Sequence, residues 1–141
     1  MVLDEEILSL KLKRFEIMTQ LILHLVGDYL LQTSWMADNK TKRHWPAFVH
    51  AVVYSLPFLL LEPSLSAFLV ILITHFFIDR YRLARFVAFA KNKVTTPSLH
   101  WEDCSQTGYH KDSPAWLSVW LLIITDNTMH LIINFCALRW L

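Results

Sequence analysis

Histidine and aspartate recur four residues apart in three apolar segments of this chain. The pairs are His24 with Asp28, His75 with Asp79, and Asp126 with His130. Residues four apart on a helix lie on the same face, about one turn from each other. Because imidazole nitrogens and carboxylate oxygens are common ligands of divalent metals, the pattern predicts metal chemistry within a bundle of helices.

The order of the residues within each pair indicates that the three pairs form one site. Histidine comes first in the first two pairs and second in the third pair. In a bundle of alternating helices, the segment with the third pair runs opposite to the other two. The reversal therefore predicts one layer of aspartates, with a layer of histidines one turn deeper. His50 lies near the start of another apolar segment and is expected beside the aspartates.

The predicted metal ligands outnumber the four that a tetrahedral ion takes. They are His24, Asp28, His50, His75, Asp79, Asp126 and His130. The set suits one or two zinc ions, with iron or manganese as further candidates, and paired ions lie about 3.5–4 Å apart in two-metal sites. An aspartate left partly free of metal is the predicted catalytic base, and Asp28, Asp79 and Asp126 are the candidates. A proton relay and a purely structural polar seam stay open as alternatives.

Polar residues near these ligands are predicted to support them through hydrogen bonds. They are Gln32, Tyr54 and Asn127. Gln32 and Tyr54 each follow a predicted ligand by one helical turn, and Asn127 adjoins another ligand. Arg80 and Arg82 follow the second His–Asp pair at the end of its segment. They are candidates for binding a phosphate group, with anchoring at a membrane interface as the alternative.

The elements that must position these residues are apolar stretches of membrane-spanning character. The chain has 141 residues, of which 55% are hydrophobic and 18% are charged, and its mean hydropathy is +0.37. A soluble domain averages about 45–50% apolar and about 25% charged residues. The composition predicts an all-α fold, a single integral membrane domain over residues 1–141 with four transmembrane helices and a short interfacial N-terminal helix. The helices are expected at about 15–37, 45–61, 64–86 and 114–138. A soluble helical bundle with an unusually apolar core is the alternative.

The distribution of positive charge predicts which side of the membrane each loop faces. The first and third loops, the latter at about 87–113, together with the adjoining helix end carry nine lysines and arginines, whereas the termini and the second loop carry four. Because cytoplasmic loops are enriched in these residues, the first and third loops are expected in the cytoplasm. The formal net charge of +1 excludes a protein that binds nucleic acids through bulk charge.

Four sequence blocks resemble a known family of membrane proteins. They are HLVGDYLLQTSWMADNK at 24–40, His50, HFFID at 75–79 and DNTMH at 126–130. In this order they resemble the domain-of-unknown-function 3307 family, small multi-pass membrane proteins of bacteria and phages. The resemblance covers residues from about 17 to 133 and implies a multi-pass protein of the bacterial inner membrane. It brings no activity with it, although the chain is also distantly similar to membrane-bound metal-dependent hydrolases.

The function that these features predict best is a metal-dependent membrane hydrolase. A metal-bound water would attack an ester or phosphoester of a lipid or lipid-linked substrate. One alternative is a conduit for protons or metal ions along the polar seam. Another is a non-catalytic module that metal stabilises and that binds a host protein. The oligomeric state stays open, and a homo-oligomer is one candidate.

Overall fold

The computed structural model describes residues 17–141, and this part of the chain is helical without any strand. Its helices are α1 Ile17–Leu30, α2 Ser34–Asn39, α3 His44–Leu61, α4 Leu65–Tyr81, α5 Ala84–Thr95, α6 Trp101–Cys104 and α7 Ala115–Trp140. The all-α prediction is confirmed. The predicted interfacial helix near the N-terminus lies outside the described residues.

The centre of the fold is α4, which packs against α3 on one side and α7 on the other. The hydroxyl of Ser64 caps α4 by accepting a hydrogen bond from the backbone N–H of Ala67 at 3.0 Å. Glu62 has a positive φ of 48° and turns the chain sharply between α3 and α4. These two helices therefore form an antiparallel hairpin.

Two of the predicted long helices are divided in the structure. Arg82 adopts a left-handed conformation with φ of 53° and ends α4, so that α5 begins at Ala84 instead of continuing α4. Part of the predicted third loop is therefore helical. In the first predicted helix, α1 ends at Leu30, and the separate helix α2 begins after Thr33, whose hydroxyl accepts from the Met36 N–H.

Two helices within residues 17–141 are long and apolar enough to cross a membrane, judged by length and composition alone. They are α3 and α7. Helix α4 has 17 residues, which is short against the roughly 20 residues that span a bilayer core. The fold thus supports an apolar helical bundle, and four transmembrane crossings stay a prediction.

The bundle buries several polar side chains together with its apolar core, and it exposes many large apolar residues. The outer face of α4 carries exposed apolar residues at four-residue steps, namely Leu65, Leu69, Ile73 and Phe77. The opposite face of the same helix carries His75 and Asp79, which are buried against α3 and α7. A surface helix of a soluble protein instead carries charged and polar residues on its outer face.

Candidate metal centre

Four buried ligand atoms from three helices converge on one point. They are Asp28 Oδ1, His50 Nε2, His75 Nε2 and Asp79 Oδ2. The two imidazole nitrogens lie 3.0 Å apart, and each lies 3.1–3.9 Å from the two carboxylate oxygens. A tetrahedral zinc ion with ligands about 2.0–2.2 Å away has edges of about 3.3–3.6 Å between its ligand atoms. The five distances above therefore lie near the edges of a zinc tetrahedron, and all four atoms lie within 4.8 Å of one another.

A second group of ligands adjoins the first and shares one residue with it. Asp28, Asp126 and His130 each offer a ligand atom, and these atoms lie within 4.8 Å of one another. His130 Nε2 lies 3.5 Å from Asp126 Oδ2 and 3.4 Å from Asp79 Oδ1. Asp28 belongs to both groups, and Asp79, which uses its other oxygen in the first group, also contacts the second, so these two carboxylates would be shared if both groups held metal.

A π-helical turn presents Asp28 to both groups. Residues Val26–Leu30 at the end of α1 form this wider turn, and the backbone N–H of Leu31 donates to the Val26 carbonyl at 2.9 Å. Single π-helical turns within α-helices are frequent at functional sites. At the same turn Gly27 lets α1 approach α3 closely, because a Cβ there would lie 2.7 Å from the backbone oxygen of Tyr54.

His24 is the one predicted ligand that lies outside both groups. Its Nδ1 lies 2.9 Å from the Tyr54 hydroxyl, and its Nε2 lies 3.2 Å from Asn127 Oδ1. The Asn134 amide donates to the Tyr54 oxygen at 2.6 Å, which leaves the Tyr54 proton free to be donated to His24. In this arrangement His24 Nε2–H donates to Asn127, and no lone pair of the ring is left for a metal.

The predicted supporting residues take different roles in the structure. Tyr54 stacks on the ring of His75, with centroids 3.5 Å apart and planes 11° from parallel. The side-chain oxygen of Asn127 accepts a hydrogen bond from the Tyr29 hydroxyl at 2.9 Å and also contacts His24 Nε2. Gln32 lines the cleft beside the site, and its buried Oε1 has no partner among residues 17–141.

Lys40 enters the first ligand group from the loop after α2. Its Nζ lies 2.7 Å from Asp79 Oδ2, 3.6 Å from Asp28 Oδ1 and 3.1 Å from His50 Nε2. Burial works to lower the pKa of Lys40, but the two carboxylates outweigh it and hold this pKa above its ordinary value. The side chain of Lys40 therefore carries a positive charge beside the ligand atoms.

Sequence reasoning missed Lys40 because it treated this lysine only as a charge of the first loop. Its position is set by the fold: Arg80 Nη1 donates to the Thr41 carbonyl at 2.8 Å and so holds the Lys40 loop against α4. The available signal was that Lys40 ends the first family-like sequence block. Arg80 is thus engaged in positioning a loop through Nη1, and its binding of a phosphate group stays a prediction.

A cleft of about 220 Å³ connects the ligand groups with the surface of the bundle. All three predicted catalytic aspartates line it, as the layer prediction required, together with Lys40. Asp126 is the most accessible of the three, with 26% of its side chain exposed. Arg82 also lines the cleft and is oriented by its hydrogen bond to the Gln106 carbonyl at 2.7 Å.

The sequence of this chain matches one family model over residues 17–138. The chain belongs to the family described as "Protein of unknown function (DUF3307)". The match covers every residue of the two ligand groups as well as Lys40, and the family resemblance is confirmed. Comparisons with curated proteins and with solved structures gave no match.

Proposed function

We propose that this member of the DUF3307 family is a metal-dependent hydrolase of the bacterial inner membrane, acting on an ester or phosphoester of a lipid or lipid-linked substrate. The observation that carries the proposal is the pair of adjoining ligand groups that share Asp28 beside an open cleft. The group with Asp126 and His130 supplies three residues, and catalytic zinc sites keep a position open beyond three protein ligands.

The chain's own residues would hold the metal and manage the proton of the attacking water. A zinc ion, when bound, would lower the pKa of its water to about 7. Asp126 lies in the cleft and is partly exposed, so the carboxylate oxygen that it does not offer to metal is placed to accept a proton from a water molecule there. Asp28 and Asp79 are buried and would remain with the metal.

The lining of the cleft supports a substrate with an anionic head and an apolar chain. The residues that line the cleft include Arg82, and Leu122 and Ile123 of α7. The guanidinium group of Arg82 would pair with a phosphate oxygen. The two apolar residues would contact an acyl or prenyl chain that lies against α7.

The membrane location rests on the distribution of polarity in the bundle. Many large apolar residues of α4 and α7 face outward, whereas Asp79 of α4, which would be costly in lipid, is buried inside the bundle. The outward residues on α7 include Trp116, Trp120, Ile124 and Ile132. This distribution supports an arrangement in which α4 and α1 also lie within the bilayer, with the first and third loops toward the cytoplasm.

A second candidate is a non-catalytic membrane module that metal stabilises. The first ligand group favours it, because four protein ligands around one ion leave no position for water. The proposed binding of such a module to a host protein is a prediction, as is assembly into a homo-oligomer. The conduit is disfavoured, since Phe58, Ile71 and Ala137 pack into an apolar cluster below the site.

The test is metal analysis and hydrolysis with the full chain purified in detergent. We expect the protein to remain with membranes after an alkaline wash, and to carry one or two zinc, iron or manganese ions per chain. Hydrolysis of a phospholipid or polyprenyl phosphoester should disappear in Asp126→Asn, while metal in the first group is retained. Asp112→Asn, at an exposed loop aspartate, is the matched control. Metal without any hydrolysis would favour the non-catalytic module.

A further inference from the structure

We propose that the Lys40 ammonium group is a built-in cation that neutralises Asp28 and Asp79 before metal is bound, and that an incoming metal ion must displace it. This inference rests on the metal centre of the proposed function. It assigns to Lys40 the regulation of metal loading, a role distinct from that of a ligand.

The first argument is the position of the ammonium group relative to the four ligand atoms. Lys40 Nζ contacts three of them, at 2.7 Å from Asp79, 3.1 Å from His50 and 3.6 Å from Asp28. It therefore covers one face of the tetrahedron. With ligands about 2 Å from its centre, a metal ion would lie on the order of 3 Å from Nζ. A divalent ion and an ammonium group at that separation repel each other strongly in a buried site.

The second argument is that a cation is required when no metal is bound. Asp28 and Asp79 are each only 5% exposed, and the two carboxylates face the same small volume. A buried carboxylate without a compensating charge is costly, and two neighbouring ones repel each other. Lys40 is the one lysine or arginine within residues 17–141 whose side chain is shown to reach both carboxylates.

The third argument is that the ammonium group can move away from the ligand atoms into the cleft. Lys40 lines the cleft, and 17% of its side chain is exposed, so rotation of its flexible stem would bring the ammonium group toward water. The backbone of Lys40 is held in place, because its N–H donates to the Met36 carbonyl and Arg80 holds the adjoining Thr41. Displacement of the ammonium group would therefore change only the torsion angles of the side chain.

The experiment measures zinc affinity by competition with a chelator, using the full chain in detergent. Lys40→Met keeps the length and removes the charge, and Lys40→Gln also keeps a hydrogen-bond donor. We expect both variants to bind zinc about tenfold or more tightly than the wild type, because no ammonium group opposes the ion. Lys42→Met, at an exposed lysine two residues away, should leave zinc affinity unchanged.

The metal-free state provides a second measurement. Lys40→Met should melt at a lower temperature than the wild type in the presence of chelator, and should gain more from added zinc. If the metal-free variant does not fold, it can be purified with zinc, and its release of zinc to a chelator should be slower than that of the wild type.

The outcomes separate this inference from the proposed function. If the wild type binds zinc and both Lys40 variants bind it equally well or more weakly, the proposed competition is wrong. The metal centre itself would not be in question. If the Lys40 variants bind zinc and the wild type does not, the competition is supported and the proposal of a metal-dependent hydrolase is wrong. If none of these proteins binds zinc, iron or manganese, both proposals are wrong.

Discussion

The ring of Tyr54 lies flat on the ring of His75, with centroids 3.5 Å apart. His75 Nε2 lies among the ligand atoms, but His75 Nδ1 has no hydrogen-bond partner within residues 17–141, so the stacking on Tyr54 also supports the orientation of this ring. The hydroxyl of Tyr54 meanwhile takes part in hydrogen bonds with His24 and Asn134. Tyr54 therefore couples the metal group to the polar network that lies below it.

Substitution of Tyr54 should separate these two roles. Tyr54→Leu removes the stacked ring, and we expect zinc affinity to fall by about 10–100-fold, as for the loss of other groups that orient a ligand. Tyr54→Phe keeps the ring but leaves Asn134 and His24 without their partner. It should lower the free energy of unfolding by about 1–3 kcal/mol with zinc affinity close to that of the wild type.

The measurements are zinc titration and thermal unfolding of the same preparations in detergent. If Tyr54→Phe weakens zinc binding as much as Tyr54→Leu does, the hydroxyl and not the stacking supports the metal site, and our assignment is wrong.

Asp79→Asn should abolish stoichiometric metal binding. The amide keeps the volume of the side chain but removes the negative charge, and Asp79 contacts both ligand groups through its two oxygens. We expect less than about one tenth of the wild-type metal content by elemental analysis, since charged carboxylates offset the charge of the ion. Asp38→Asn, at an exposed aspartate, should retain full metal content. Unchanged metal in Asp79→Asn would exclude Asp79 from the ligands. Less than one metal ion per chain in the wild type, with thermal stability unchanged by the substitution, would move the proton relay to first place.

His75→Gln and His24→Gln should differ, although the two histidines hold equivalent positions in their sequence pairs. His75 Nε2 belongs to the four-atom group, and its loss should remove metal. Both nitrogens of His24 are engaged with Tyr54 and Asn127, so His24→Gln should keep most of the metal and lower the melting temperature. Parallel metal analysis and thermal unfolding of the two variants check this. Equal loss of metal would return His24 to the ligand set.

Gly27→Ala should destabilise the bundle despite the higher helix propensity of alanine. The added Cβ would lie 2.7 Å from the Tyr54 backbone oxygen and 2.9 Å from its ring. Overpacking costs about 1–3 kcal/mol, which exceeds the gain of about 0.8–1.0 kcal/mol from helix propensity. A lower melting temperature in chelator is expected, with weaker zinc binding as Tyr54 shifts. An increase in melting temperature would show that α1 and α3 can move apart freely.

The sequence was sufficient for the helical class and for most of the site. The four-residue spacing of histidine and aspartate, and its reversal in the last segment, follow from helix geometry alone. Six of the predicted ligands come together in the structure, namely Asp28, His50, His75, Asp79, Asp126 and His130. Local periodicity carries such information because it fixes the face of a helix on which a residue lies.

Only the tertiary structure separated His24 from the ligands and placed Lys40 among them. His24 has the same spacing to Asp28 as His75 has to Asp79, but partners from other helices occupy both of its nitrogens. Lys40 lies in a loop without periodicity, and its place depends on the long-range hydrogen bond from Arg80 to Thr41. Sequence spacing fixes direction along one helix, whereas the partner of a polar group is decided by which helices meet there and how closely they pack.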